Sequence, residues 1–257
     1  MTTENLLQRT ARVAMIEQTL KTLDDIEYRR ATSQEDIAEI AEVRRSAYED
    51  ADIYVGESPS FIDAVDFDPK AYVFGVYWRE KLVGTIRIHF LSRENPKTNS
   101  TKYFPDVLDP LVEQGLTFMD PARFAILPGM DKEIPGLASI VLRLGLAGGR
   151  HFNCDFALAT IKEGHAGFYR RAFNFTQMTP VKPFPPLKQK FALFSSSRSN
   201  IDAVRTNFPV MDGLALEAKM LFSNVSPASP RVLNVRPTAR LAIRNKVVYP
   251  DLLQAAQ

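Results

Sequence analysis

Apolar positions near the start of the chain, among them Leu6, Leu7, Ala14, Met15, Ile16 and Leu20, recur at helical spacing and predict a helix over residues 3–23. Residues 25–31 alternate polar and apolar and read as a first strand. Thr32 to Asp36 supplies a capping signal, and Ile37, Ile40, Ala41 and Arg44 open a helix that runs to about Tyr48. Two apolar runs, Tyr72 to Trp78 and Leu82 to Phe90, flank Arg79-Glu80-Lys81 and predict a hairpin. After it come a polar excursion to Ser100, a strand over 116–127 and a helix over 135–148. A buried strand over 156–161, a helix over 165–171 and a strand over 189–196 complete the periodic part, with a Pro-rich connection at 179–187. Beyond 197 the pattern is helical and then irregular, and 226–237 reads as a surface tail.

That order of elements predicts a mixed α/β sheet with helices on both faces. The 257 residues suffice for one good core. We divide the chain into an N-terminal helix (1–24), a main domain (25–196) and a C-terminal helical extension and tail (197–257). Residues 50–69, acidic and turn-rich, are expected to form a long loop over a site.

Composition narrows the chemistry. No run of 18 apolar residues occurs and the first thirty residues are polar, so neither a membrane span nor a signal peptide is expected and the protein reads as cytoplasmic. The single Cys154 fits a reducing compartment, and three His with one Cys leave no metal-ligand pattern. The net charge of +2 conceals an asymmetry. Residues 1–52 carry 7 Lys/Arg against 12 Asp/Glu, residues 53–142 carry 9 against 12, and residues 143–257 carry 16 against 6, or net +10. An acidic or phosphate-bearing partner is therefore expected on the C-terminal half. The basic residues match no nucleic-acid reader motif, so nucleic acid is not expected as a partner, and nothing indicates a membrane surface. No Gly-x-Ser-x-Gly occurs, which argues against a serine nucleophile.

Candidate chemistry concentrates in two segments. Asp120-Pro-Ala-Arg123-Phe-Ala-Ile126 sets an acid and an arginine ahead of an apolar run, and His165 to Phe175 carries Tyr169, Arg170 and Arg171 on a predicted helix. Arg87 and Arg123 lie in predicted strands, where a buried charge needs a partner. Asp66, Asp68 and Asp120 are the available acids.

These residues carry a family resemblance. Arg44 or Arg45 with Tyr48, the acids Asp66 and Asp68 before Tyr72, Gly84-Thr-Ile-Arg87, Phe104-Pro105, and Asp120 with Arg123-Phe124 resemble in order the motifs of acyl-homoserine-lactone synthases. The helix at 165–175 is more similar to the N-acyl amino acid synthases of the long-chain N-acyl tyrosine synthase type. Both groups have the GNAT acyltransferase fold. The resemblance covers about residues 25–196 and implies a mostly antiparallel sheet with a splayed central strand. The chain departs from the lactone synthases in having Asp120 where they carry Glu and in lacking a Trp before Asp66, which argues against lactone formation. Asn174 stands where many GNAT enzymes have Gly.

The implied reaction is transfer of a long-chain fatty acyl group from acyl carrier protein to the amine of an amino acid, with no tightly bound cofactor and acyl-phosphopantetheine or acyl-CoA as co-substrate. The implied catalytic residues are Asp120 as proton acceptor, Arg123, and Tyr169 as donor to the departing thiolate. Arg44, Asp66, Asp68 and Arg87 would hold the acceptor. Backbone N–H groups of Phe124, Ala125, Ile126 and Leu127 would face the thioester and the pantetheine arm. No clean copy of the coenzyme A phosphate turn occurs, but the helix N-terminus near Gly136 could take one phosphate, which suits phosphopantetheine. Arg143, Arg150, Lys162, Arg170 and Arg171 form the expected carrier-docking face. An acyl-homoserine-lactone synthase, a coenzyme A dependent acetyltransferase and a non-catalytic binding module are the competing readings, and a missing splay beside 116–127 would favour the module.

Overall fold

The computed structural model describes residues 3–54, 61–185, 187–223 and 234–248. Ten helices and nine strands occur among them: α1 (Thr3–Asp24), β1 (Ile26–Arg30), α2 (Gln34–Asp50), β2 (Ala71–Trp78), β3 (Lys81–Leu91), α3 (Asn99–Tyr103), α4 (Pro105–Glu113), β4 (Phe118–Ile126), α5 (Met130–Glu133), α6 (Leu137–His151), β5 (Phe156–Lys162), α7 (Ala166–Phe173), β6 (Thr176–Gln177), β7 (Lys182–Phe184), β8 (Leu187–Ser197), α8 (Arg198–Asn207), α9 (Ala215–Phe222), β9 (Asn234–Val235) and α10 (Ala239–Val248). The strands form one sheet in the order β6-β8-β5-β4-β3-β2-β1-β9, with β7 attached to β8. Every pairing is antiparallel except that of β4 with β5.

Local chemistry explains the boundaries. Ser33 caps α2 by accepting from the Asp36 N–H, while the Asp36 carboxylate accepts in return from the Ser33 N–H. The β2–β3 hairpin turns through Arg79 and Glu80, both at positive φ (49° and 68°), as a tight two-residue turn requires. Arg79 is held there by Asp25, whose carbonyl accepts its N–H and whose carboxylate accepts its Nε.

One face of the sheet packs Tyr28, Phe74, Ile86 and Ile88 against Ile140, Val141 and Leu144 of α6. The opposite face packs Val73 and Tyr77 against Ile37, Ile40 and Val43 of α2, and Leu91 and Phe118 against Phe104 and Leu108. Each such side chain contributes roughly 1.5–3 kcal/mol on burial. The middle strands are buried on both sides, which is why β2 is almost continuously apolar.

The structure corrects one expectation and adds two features that the sequence pattern left unread. The stretch after Ser100 holds two helices, α3 and α4, that the apolar pattern did not suggest. Asn234 and Val235, expected in a surface tail, form β9 and pair with Arg29 and Tyr28 of β1, while 226–233 lie outside the described residues. Within Arg143 to Gly148 the glycines serve packing: a Cβ on Gly145 would lie 3.3 Å from Pro121, and one on Gly148 would lie 2.9 Å from Phe222 and 3.0 Å from Met119. No helix among the described residues is long and apolar enough to cross a membrane.

Candidate active site

The site grows from an irregularity in β4. Thr85 pairs with Ala125 but Arg87 with Ala122, so β4 carries one residue more than β3 across this step. Arg123 absorbs the extra residue in the left-handed region, at φ 53°. On its other edge β4 pairs with β5 only at Phe118↔Phe156 and Met119↔Ala157. Beyond those pairs the two parallel strands part, and the splay expected of a GNAT-like sheet is present.

A cavity of about 610 Å³ occupies this gap. It is walled by Arg123 and Phe124 on β4, Thr160 and Lys162 on β5, Leu142, Gly145 and Leu146 on α6, and His165, Tyr169 and Phe173 near α7. Tyr48, Tyr54 and Asp63 close the side away from α6. Apolar walls with a few convergent polar groups are what a ligand site requires. The amide of Leu127, expected to face the gap, donates to the Val83 carbonyl instead. Because amide direction alternates along a regular strand, that of Ala125, paired with Thr85, turns towards β3 and that of Ile126 away from it; of the four residues expected at the thioester, Phe124 lines the cavity and Ala125, Ile126 and Leu127 do not. The Phe124 carbonyl accepts from Tyr48 at 3.5 Å.

Beside the bulge lies a network of three arginines and two acids. Asp63 accepts Arg87 Nη1 at 2.6 Å on one oxygen and Arg123 Nη2 at 2.5 Å on the other. Asp66 accepts Arg44 Nη1 at 2.8 Å and Arg87 Nη1 at 3.0 Å. Burial works to raise the Asp63 carboxyl, but Arg87 and Arg123 outweigh it and bring it down to about 2. Asp66 is likewise lowered, its burial outweighed by Arg44. Nε and Nη2 of Arg44 and Nε of Arg87 are buried without a partner. Of the two candidate arginines on α2, Arg44 is buried in this network, whereas Arg45 is exposed and pairs with Glu42.

Asp63, which was not foreseen, joins this network, and Asp68, which was, lies outside it. Asp68 is exposed and accepts the Lys70 N–H, making no bond to the arginines. Asp63 and Asp66 form a capping box on the turn Ala64–Phe67, so the Asp-x-x-Asp spacing was the signal that distinguishes them.

Asp120 is fully buried and is not part of the cavity wall. Its two oxygens accept the N–H of Ser100 at 3.1 Å and the hydroxyl of Ser100 at 2.7 Å. Across the strands it faces His89, a buried imidazole with neither nitrogen hydrogen-bonded. Burial keeps that imidazole's pKa below the usual histidine range, against the pull of Asp120. Tyr169 reaches the cavity from α7, and burial raises its phenol, so it carries its proton at neutral pH. Gly136 caps α6 outside the cavity wall, at φ 79°, where a Cβ would lie 3.3 Å from Thr19 Oγ1.

The expected docking face loses one member. Arg143 is buried and bonded to Glu217, with Nη2 to Oε2 at 2.9 Å, and it also donates to the carbonyls of Val210 and Asp212. A guanidinium so enclosed cannot meet a partner protein. Arg150 is half-exposed but donates to the Gly213 carbonyl at 2.7 Å. Arg170 and Arg171 are exposed on α7, Lys162 stands at the cavity rim, and Phe168 between them is 40% exposed. Cys154 is buried and its thiol is pushed up to about 12 by burial, which leaves it un-ionised near neutral pH. No cluster of three or more metal-ligating side chains occurs among the described residues.

A sequence profile described as N-acyl amino acid synthase FeeM matches residues 39–197. No curated protein matches the sequence. Among solved structures, FeeM, an N-acyl amino acid synthase from uncultured soil microbes, superimposes with a TM-score of 0.58 at 18% identity, over 69% of this chain and 93% of that one. The acyl-homoserine-lactone synthase LasI superimposes with a TM-score of 0.51 at 14% identity, over 79% of this chain and 97% of that one. At these identities the superpositions establish the shared fold.

Proposed function

The chain belongs to the FeeM family of N-acyl amino acid synthases and is an acyltransferase, and we propose that it moves a long-chain fatty acyl group from an acyl carrier protein to the amine of an amino acid. The observation that carries this reading is the cavity in the β4–β5 gap, apolar towards α6 and bordered by Arg123 and Asp63 on its other side. The acyl chain lies along Leu142, Gly145 and Leu146. The thioester carbonyl faces the β4 bulge, where the Phe124 amide stabilises the oxyanion. Arg123 binds the acceptor's carboxylate, and Asp63 keeps it in place with the help of Arg87 and, through Asp66, Arg44.

The amine attacks only when neutral, so its proton passes to Asp120. The C–N bond forms and the C–S bond breaks as Tyr169 protonates the departing thiolate, and the second N–H proton, shed by the nitrogen as the amide forms, replaces the one Tyr169 has given up. The phosphate of the pantetheine arm meets the first turn of α6, whose N-cap residue, Gly136, has no side chain to occupy the amides there. Lys162, Arg170 and Arg171, with Arg150 at the margin, receive the acidic carrier. The protein acts in the cytoplasm.

The test is release of free thiol from palmitoyl carrier protein, measured with and without a mixture of amino acids. Amino-acid-dependent release supports the reading. Release from palmitoyl-CoA but not from the carrier would replace the donor, and release that ignores amino acids would remove the acceptor.

A further inference from the structure

Asp120 is the acid best placed in sequence to accept the amine's proton, yet it does not reach the cavity. Both oxygens are occupied by Ser100, and the Ser100 hydroxyl proton points at Oδ1, 2.7 Å away. The same Ser100 oxygen lies 3.4 Å from Oγ1 of Thr160. Since Ser100 has one hydroxyl proton and Asp120 takes it, Thr160 is the donor in that second contact. Thr160 is on the cavity wall. A chain of two hydroxyls therefore runs from the cavity to a buried carboxylate, formed by β5, the start of α3 and β4.

We propose that Thr160 and Ser100 relay the acceptor amine's proton to Asp120, with Thr160 touching the amine and Ser100 acting as the positioning residue that holds and protonates the carboxylate. This rests on the reading of Asp120 as the proton acceptor of amine acylation. In one concerted shift the amine N–H bond breaks and its proton joins Thr160 Oγ1. The Thr160 proton moves to Ser100 Oγ, and the Ser100 proton moves to Asp120 Oδ1. Each hydroxyl ends as it began, Asp120 gains one proton, and the nitrogen lone pair becomes free to attack. The charged and titratable groups around the Asp120–His89 pair are Arg87 on β3 and Asp63 and Asp68 on the loop beyond it.

The experiment measures kcat and KM against pH, with a long-chain acyl carrier protein and an amino acid acceptor, for the wild type and for Asp120→Asn, Ser100→Ala, Thr160→Val and Thr160→Ser. Because Ser100 is buried and its removal could disturb folding, Thr160→Val, nearly isosteric and at the cavity wall, is the second probe. The relay predicts that Ser100→Ala and Thr160→Val each lose about 100-fold in kcat, with KM little changed. It predicts that the deficit shrinks as pH rises towards the amine's own pKa, where the nucleophile arrives already neutral. It also predicts that Thr160→Ser, which keeps the hydroxyl, recovers most of the rate. A deficit equal at every pH would assign these hydroxyls a structural role and overturn the relay. Full activity of Thr160→Val and Ser100→Ala beside an impaired Asp120→Asn would overturn the relay alone. Full activity of Asp120→Asn would remove the proton acceptor, and the relay with it.

Discussion

Arg87 and Arg123, on neighbouring strands, are tied to the two oxygens of one carboxylate, Asp63, at 2.6 and 2.5 Å. The bulge makes the pairing possible, because it is at Arg123 that β4 takes up its extra residue. A charged side chain inside a sheet is costly unless paired, so the acid that pairs both arginines holds the strand irregularity and the cavity wall together.

Asp63→Asn should therefore lower kcat/KM for the amino acid acceptor by more than tenfold and cost about 1–3 kcal/mol of stability, because the buried Arg87 loses part of its pairing. The carboxyl's folded pKa, about 2, is below its unfolded value. Its stabilising contribution is then complete above about pH 4 and lost as pH falls towards 2. Urea midpoints of wild type and Asp63→Asn should differ by a constant amount from pH 5 to 8 and converge below pH 4; a gap that varied near neutrality would contradict the assignment.

Tyr169→Phe should reduce turnover about tenfold with alkyl thioesters if, as proposed, the phenol, kept protonated by burial, is the proton donor for the thiolate. Aryl thioesters, whose thiolates leave without protonation, should be turned over by the variant and the wild type alike. An equal loss on both donors would reduce Tyr169 to a packing residue.

Reversal of Arg170 and Arg171 to Glu should raise the apparent KM for an acyl carrier protein several-fold and leave small thioesters unaffected, with the effect fading in high salt. Equal effects on both donors would argue against docking at α7.

Glu217→Gln is the contrasting case. It leaves Arg143 buried beside a neutral amide and should cost about 3–5 kcal/mol, because Arg143 and Glu217 are both almost fully enclosed. Carrier KM should not change in the fraction that remains folded, and thermal melting together with steady-state kinetics separates the two effects.

Much of the framework was legible from pattern alone. The β2–β3 hairpin, α2 with its capping box, and the β4–α6–β5–α7 succession all carry strong local periodicity, and they lie where it predicts. The parts that escaped depend on tertiary context. α3 is only five residues long, and α4 contains Pro105 and Pro110, so neither shows a long apolar period, yet α3 brings Ser100 to Asp120. Arg143 looked like a surface charge because its partner Glu217 is 74 residues away, in a segment whose packing on α6 no periodicity reveals. Asp63 was passed over for Asp68 although both precede the same strand. The capping geometry of one short turn decides between them, and only the Asp63-x-x-Asp66 spacing hinted at it. The choice of Asp120, Arg123 and Tyr169 came from a resemblance. The structure sets Arg123 and Tyr169 on one cavity and Asp120 one hydroxyl chain away from it.

The most direct test of the central claim is mass spectrometry of the products formed when the purified protein is incubated with palmitoyl carrier protein and the twenty amino acids. One dominant N-palmitoyl amino acid, absent when Arg123 is replaced by Ala, is the predicted result. An intact acyl carrier after prolonged incubation, with no N-acyl amino acid at any acyl chain length, would contradict it.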